Sequence, residues 1–531
     1  MFVENIIIGA GPSSLQLAYY FMKNNIPYII LEKNDSCASF FNKYPHSKKL
    51  ISLNKKYTGK TDSDFNLRHD WNSLLNDENF LFSDYTDELY PSSHILYNYL
   101  NDFSKKFNIN IQFNTFVSKI KKDDQKNYLL TLNNNENEIA SCNKLIIATG
   151  ISIPFYPNLI TSINKEEKII KHYADYPNNY FTQEDTLKKY QNKKILIIGG
   201  GNSSYELANI LVNYCSNIII LGSNKPLSIV SHYVGDIRSI YLPFLDTFYL
   251  KSLNGIDVSK KELLDTCKIV KDDNSGKYKL LDKFNKNYYD STQNLEDFDE
   301  IILCTGWSFD NAIFDFNVML TINNKYPCVN YKYESVNNKN LFFIGSLMHS
   351  KDYRRGSGGF IHGFRYLIKL FTQLEYNIPL SIKNFKFAGN MECYTELSQH
   401  IYNRINNSSS IYQLYGVMCD LFYFDSDTKT IVYIEDITIE SIDYLKLKNI
   451  IKFNILMLEY GERVKEIKQL GSFNKYNPSF LHPKIYIYEK INHEKNLLDR
   501  ITFQEDIVAD FSNINYLKKI KQVLKMCNLI I

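Results

Sequence analysis

Two apolar, strand-like runs 190 positions apart each break into a glycine-rich turn and then into a helical pattern. The first reads Asn5-Ile6-Ile7-Ile8-Gly9-Ala10-Gly11-Pro12-Ser13-Ser14. The second reads Lys194-Ile195-Leu196-Ile197-Ile198-Gly199-Gly200-Gly201-Asn202-Ser203-Ser204. A strand that ends in Gly-x-Gly and runs straight into a helix turns backbone N–H groups and the positive helix end toward a pyrophosphate. One such turn is weak evidence. Two in one chain point to two dinucleotides held by one protein. The phosphate contacts are expected from Gly9, Gly11, Pro12 and Ser13 in the first turn, and from Gly199, Gly201, Asn202 and Ser203 in the second.

Leu15, Ala18, Tyr19 and Met22 follow the first turn at helical spacing, as do Leu207, Ile210, Leu211 and Tyr214 after the second. Both turns carry serine (Ser14, Ser204) where the fingerprint prefers a third Gly or Ala for close helix packing, and serine is nearly as small. After the first helix a second strand, Tyr28-Ile29-Ile30-Leu31, ends in Glu32, 23 residues beyond Gly9. That is about where an acid accepts hydrogen bonds from a ribose diol; the plain alternative is an exposed glutamate at a strand end. The second unit differs here: Ile218-Ile219-Ile220-Leu221 runs into Gly222-Ser223-Asn224-Lys225 with no acid. A carboxylate would repel the 2′-phosphate of NADP, whereas Ser223 and Lys225 can donate to it, so NADP(H) is expected over NAD(H). Lys225 also reads as a solvated loop lysine.

The 531 residues leave ample chain for two or three domains, and 61 basic against 58 acidic residues are near balance. No dense basic run supports nucleic-acid binding, and no apolar stretch is long enough to span a bilayer. The first strand begins almost at Met1, beside acidic Glu4, unlike a signal peptide. Nine cysteines lie singly with no C-x-x-C, which predicts reduced thiols, a cytoplasmic protein and no zinc site. It also removes the redox pair that flavin disulfide reductases use. Cys37 reads as an ordinary thiol. Asn202-Ser203-Ser204 matches a glycosylation sequon inside the nucleotide turn, where a glycan would block the pocket.

Leu145-Ile146-Ile147-Ala148-Thr149-Gly150 and Ile301-Ile302-Leu303-Cys304-Thr305-Gly306 are two further apolar strands ending in Thr-Gly. Such ends are the usual crossings between two nucleotide domains, making Thr149, Gly150 and Gly306 cofactor candidates. A later strand, Leu341-Phe342-Phe343-Ile344, ends at Gly345. Lys351 to Gly359 then lead through Phe360 into another helix, whose start faces a flavin edge or a phosphate, or merely caps a turn. The predicted fold is α/β, with two Rossmann-like dinucleotide-binding domains, one inserted in the other, plus a C-terminal α+β module. Residues 1–160 and 296–385 form the split domain, 161–295 the inserted one and 386–531 the module. In the module, Phe422-Tyr423-Phe424 and Thr430-Ile431-Val432-Tyr433-Ile434 predict a β-hairpin, Ile485-Tyr486-Ile487-Tyr488 a strand, and 514–526 a basic helix. It is expected to cover the first domain or to bind a protein partner.

These residues carry a family resemblance. The blocks Leu50 to Gly59, Phe65 to Leu75, His232 to Arg238, Asp246 to Leu253 and Asp352 to Phe364 resemble NADPH-dependent flavoproteins of the flavin-containing monooxygenase superfamily. They are more closely similar to its FAD-dependent oxidoreductase domain-containing group. The resemblance implies a non-covalent FAD beside Glu32, in the split domain, reduced by NADPH held in the inserted one. It makes Asn54 the catalytic candidate, since an Asn in the matching segment lies close to the flavin; Asn54 reads equally as a turn asparagine. Arg68 and Trp71 orient flavin or substrate, or are structural glue. Of the monooxygenase F-x-G-x-x-x-H-x-x-x-[FY] signature only His172 and Tyr176 remain, and Ser346 replaces the acid that commonly follows the third strand's glycine. The expected activity is hydride transfer from NADPH to FAD, with electrons passing to dioxygen or another small-molecule acceptor. The alternative is a flavin-binding scaffold with little turnover.

Overall fold

The computed structural model describes residues 1–157, 170–222, 233, 235–241, 256–260, 268–281, 289–290, 293–294, 297–321, 324–386, 392–445, 450, 452–461, 481–491, 494–502 and 514–526. A five-stranded parallel sheet runs Leu341–Phe343, Lys144–Ile147, Asn5–Ile8, Tyr28–Leu31, Ile111–Gln112. A second parallel sheet runs Ile256–Lys260, Asn217–Gly222, Lys194–Ile198, Glu300–Leu303, Lys171–His172. The first sheet takes strands from before and after the second in the chain, so one Rossmann-like unit is inserted in the other. Ile6, Ile7, Leu145, Ile146, Leu196 and Ile197 are all buried, as expected of strands covered on both faces.

Helix α1 (Pro12–Lys23) leaves the first turn, α2 (Asn202–Leu211) the second, and α3 (Ile361–Glu375) follows the third glycine-rich stretch. Leu15, Ala18, Tyr19, Leu207 and Leu211 face the core as the spacing predicts. Met22, in the last turn of α1 before the chain leaves the helix at Asn24, is 38% exposed. Tyr214 lies past the end of α2. The two crossings meet: Ile153–Pro154 pairs antiparallel with Trp307–Ser308, Phe155 N–H donates to Gly306 O (3.0 Å) and Thr305 Oγ1 to Phe155 O.

A six-stranded antiparallel sheet forms the C-terminal module, ordered Ile382–Lys386, Thr430–Thr438, Met418–Asp425, Lys452–Tyr460, Leu481–Ile491, Glu494–Thr502. The hairpin closes at Asp425 opposite Thr430, and a helix spans Ile514–Met526. Arg404, from the helix Glu392–Asn407, makes a two-pronged bond to buried Asp420 (2.7 and 2.8 Å) and reaches Asp436 (2.5 Å). Such a buried pair is costly to break from one side, because the remaining charge stays desolvated.

The cores divide unequally. One continuous apolar cluster joins Ile6, Leu145 and Phe343 of the first sheet to Phe422, Leu456 and Ile485 of the module. Two separate clusters flank the second sheet, one around Ile195, Leu207 and Ile220, the other around Leu196, Ile219 and Leu303. The module is thus an outer layer of the first unit.

Candidate functional site

At both glycine turns the backbone is left-handed, with φ +94° at Gly9 and +125° at Gly199. A side chain there would be strained, and it would also meet the neighbouring strand end: a Cβ at Gly9 would lie 3.1 Å from Ala148 O, and one at Gly199 2.2 Å from Cys304 O. Each turn is pinned alike. Gly9 N–H donates to Leu31 O (2.8 Å) and Gly199 N–H to Leu221 O (2.7 Å). Ser14 Oγ donates to Gly9 O, and Ser204 Oγ to Gly199 O (2.6 Å). The third-position serine is therefore a clasp as well as a small residue.

Glu32 is buried at the end of its strand. Its carboxylate accepts from Ala10 N–H (2.7 Å), and from the backbone (2.9 Å) and side-chain amide (2.7 Å) of Asn34. An acid so held against the glycine turn suits a ribose diol. At the equivalent place in the second unit stands Gly222, where a Cβ would lie 2.7 Å from Gly200 Cα. No side chain fits there.

The third glycine-rich stretch closes the other side. Gly345 sits against α1: a Cβ on it would lie 2.4 Å from Ser13 Oγ. Phe360 caps α3, its ring parallel to that of His362, which stacks on Trp71 at 4.3 Å. Arg238, from the second unit, lies over the Trp71 ring at 5.0 Å, and its buried Nε has no hydrogen-bond partner. Burial and the nearby Arg365 and Arg238 hold His362 neutral, far below its ordinary pKa. His362 Nε2 and Asn54 Oδ1 are likewise buried without partners. Beyond Gly11, Gly201 and Gly306 there is open space where a side chain would stand. Open glycine backbone at two helix N-termini, a ribose-ready acid and orphaned buried polar atoms beside aromatic rings fit a flavin dinucleotide and a second nucleotide.

Residues 6–345 match the family model described as pyridine nucleotide-disulphide oxidoreductase. The chain belongs to that family. It is 29% identical to FAD-dependent oxidoreductase domain-containing protein 2 of Mus musculus, over 98% of this chain and 83% of the relative. The Danio rerio protein of that name is 30% identical, over 94% of this chain and 77% of the relative. Among solved structures, bacillithiol disulfide reductase Bdr from Bacillus cereus shares the fold, at 18% identity and TM-score 0.51, over 71% of this chain and all of that one. As a family member the chain is an FAD-dependent oxidoreductase, with FAD and a pyridine nucleotide as cofactors.

Several site residues expected of such an oxidoreductase turn out to be engaged elsewhere. Arg68 is a correction. Its Nε donates to Ser408 O (2.9 Å) and Nη2 to Ile405 O (2.7 Å), with Tyr412 under the guanidinium at 4.6 Å. Burial lowers its pKa to about 10. It joins the first unit to the module, with Nε and Nη2 engaged there. Asn202 differs too: its amide donates to the carbonyls of Gly235 and Asp236 and accepts from Arg238 N–H, pinning that loop to the start of α2. The Asn54 amide nitrogen donates to Thr86 O and Glu88 O, leaving only Oδ1 available. Ser223 and Lys225, with His232 and the 246–253 block, lie outside the described residues. Cys37 is buried and unpaired, its thiol pushed up to about 11 by burial, as an ordinary core thiol should be.

Two residues escaped the sequence reading. Arg365 on α3 is fully buried and donates to the carbonyls of Leu67, Asp70 and Ser73, fixing the loop that carries Trp71. His349 sits four residues past Gly345, three before Asp352. That i,i+3 pair was the available signal.

Proposed function

We propose that this is a monooxygenase-like oxidoreductase in which NADPH, held by the second unit, reduces FAD, held by the first. When bound, the flavin accepts a hydride and passes electrons singly or in pairs to dioxygen or a second small acceptor. The contrast between Glu32 and Gly222 carries the reading: one turn offers an acid to a ribose, and the other closes with no acid that would repel a 2′-phosphate. In this reading Gly9, Gly11, Pro12, Ser13, Glu32, Thr149, Gly150 and Gly345 contact FAD. Gly199, Gly201, Ser203, Ser223 and Lys225 contact NADPH. Trp71, Gly306, Gly359 and Phe360 border the space between. The domain limits follow the sheets: near 160, after the strand Glu300–Leu303 in place of 295, and before the strand Ile382–Lys386 in place of 385.

The test is anaerobic addition of NADPH to the purified flavoprotein, followed by oxygen. Bleaching and then peroxide equal to the NADPH consumed supports an oxidase or a missing acceptor. Peroxide that falls when a nitrogen or sulfur nucleophile is added supports oxygen transfer. A flavin that NADPH never bleaches leaves only a scaffold role. Lys225→Ala should weaken NADPH roughly tenfold and leave NADH unchanged, as for loss of one charge-assisted phosphate bond; equal losses would remove the NADP assignment.

A further inference from the structure

One hydrogen-bonded chain crosses from the second unit to the first beside the start of α3. Tyr233 Oη lies 2.7 Å from His349 Nε2, and His349 Nδ1 lies 2.7 Å from Asp352 Oδ1. A carboxylate only accepts, so it fixes the ring proton on Nδ1 and leaves Nε2 to accept from the tyrosine hydroxyl. His349 and Asp352 are both buried, 3% exposed, and the second carboxylate oxygen accepts from Gly358 N–H (2.7 Å).

The glycine run here is shaped around this pair. A Cβ at Gly356 would lie 2.5 Å from Asp352 Oδ2, one at Gly358 2.8 Å from Oδ1, and one at Gly359 2.6 Å from His349 Cβ. Three glycines in four positions therefore make room for an acid and an imidazole, beyond any need of the helix start. The position is as specific. Tyr233 precedes the loop that Asn202 pins to the N-terminus of α2, and its ring faces Phe360, the cap of α3, at 6.2 Å. The hydroxyl thus stands where the two nucleotide-binding units face each other. At the other end, Asp352 lines a cavity of about 720 Å³ between this segment and the module, with exposed Arg355 and half-exposed Glu440 on its wall. That end faces a cavity whose wall includes exposed side chains.

We propose that Tyr233, His349 and Asp352 form a proton relay between the redox centre and this cavity, with Tyr233 as its terminal donor and His349 and Asp352 as the groups that reload it. The proposal rests on the NADPH-reduced flavoprotein reading. A hydride brings two electrons and one hydrogen nucleus, so two-electron reduction of an acceptor takes one further proton: NADPH + H⁺ + O₂ → NADP⁺ + H₂O₂. The same proton is needed for any acceptor that gains two hydrogens. With Asp352 protonated from the cavity, His349 carries its ring proton on Nε2. Tyr233 Oη gives its proton to the acceptor and takes the Nε2 proton, and Nδ1 takes the Asp352 proton. The discharged relay is left with the Nδ1–H tautomer and a carboxylate that the cavity protonates again. General acid catalysis of this kind contributes on the order of 10²–10⁴ in rate.

The experiment separates the half-reactions in the full-length holoprotein, with dioxygen as the acceptor. Tyr233→Phe and His349→Gln should leave flavin bleaching by NADPH within twofold. They should slow reoxidation at least tenfold and change its solvent deuterium isotope effect. Tyr233→Phe removes one oxygen and tests the relay even if His349→Gln folds poorly. Independently of turnover, ¹⁵N spectra of histidine-labelled protein should show one imidazole with its proton on Nδ1, whose Nε2 signal moves in Tyr233→Phe. Normal bleaching, with reoxidation rate and isotope effect like wild type in Tyr233→Phe, would overturn the relay alone. If NADPH fails to bleach wild type, the functional reading fails instead; dithionite-reduced protein then gives the same reoxidation test of the relay.

Discussion

The two glycine turns share a scaffold down to single atoms. Each has a left-handed first glycine, an N–H bonded to the end of the second strand, and a serine clasp on the first glycine's carbonyl. They part at one position, the residue after the second strand. There Glu32 reaches back to Ala10 N–H, while Gly222 lies so close to Gly200 that a Cβ has no room. The comparison teaches that the choice of nucleotide is written outside the phosphate turn. It lies in whether the neighbouring strand end leaves space for an acid.

The strongest way to break the comparison is steric. Gly199→Ala puts a Cβ 2.2 Å from Cys304 O, whereas Gly9→Ala meets Ala148 O at 3.1 Å. Backbone strain costs roughly 1–3 kcal/mol in both, and the clash adds far more at Gly199 than at Gly9. Denaturation should show Gly199→Ala as the more destabilised by several kcal/mol, with NADPH binding lost; a larger cost at Gly9 would refute the asymmetry. Next is pH. Burial holds His46 at about 4, its Nε2–H bonded to Tyr173 O (2.8 Å) at the seam between the units. The unfolded chain takes up a proton near pH 6.5 that the folded one refuses, so stability present above pH 6.5 is lost as pH falls toward 4. The loss is about 3 kcal/mol over that window. His46→Gln should flatten the curve; an unchanged slope would show that this seam does not set acid stability.

Smaller effects sharpen the contrast. Glu32→Ala should weaken FAD retention about 10- to 100-fold, the loss of a charge-assisted bond of roughly 1.5–3 kcal/mol, with NADPH affinity unchanged. Equal loss of both nucleotides in equilibrium dialysis would mean that Glu32 supports the fold and not the ribose. Ser14→Ala and Ser204→Ala should each cost about 1 kcal/mol, the net worth of one hydrogen bond. A clear difference between them in thermal melts would show that the clasps are unequal.

What was legible in the sequence was local. Apolar runs, turn glycines and the period after them identified both units, and the hairpin and terminal helix of the module followed from strand alternation and helical spacing. Residues whose partners lie far along the chain were illegible. Arg68 beside Asp70 and Trp71 reads as part of a site, yet its guanidinium bonds carbonyls more than 330 residues away. Asn202 opens a phosphate helix and turns its side chain to a loop more than 30 residues on. The glycines from Gly356 to Gly359 resemble a helix cap because sequence shows their missing side chains but not the carboxylate and imidazole filling the gap.

The shared core of the first unit and the module has a consequence for how the molecule can be divided. Cutting the chain near residue 386 would strip Phe422, Leu456 and Ile485 from the cluster that holds Ile6 and Phe343, and leave Arg68 facing water. The cooperative folding unit is therefore the first unit together with its tail, while the inserted half, with cores of its own, is the piece that can melt first.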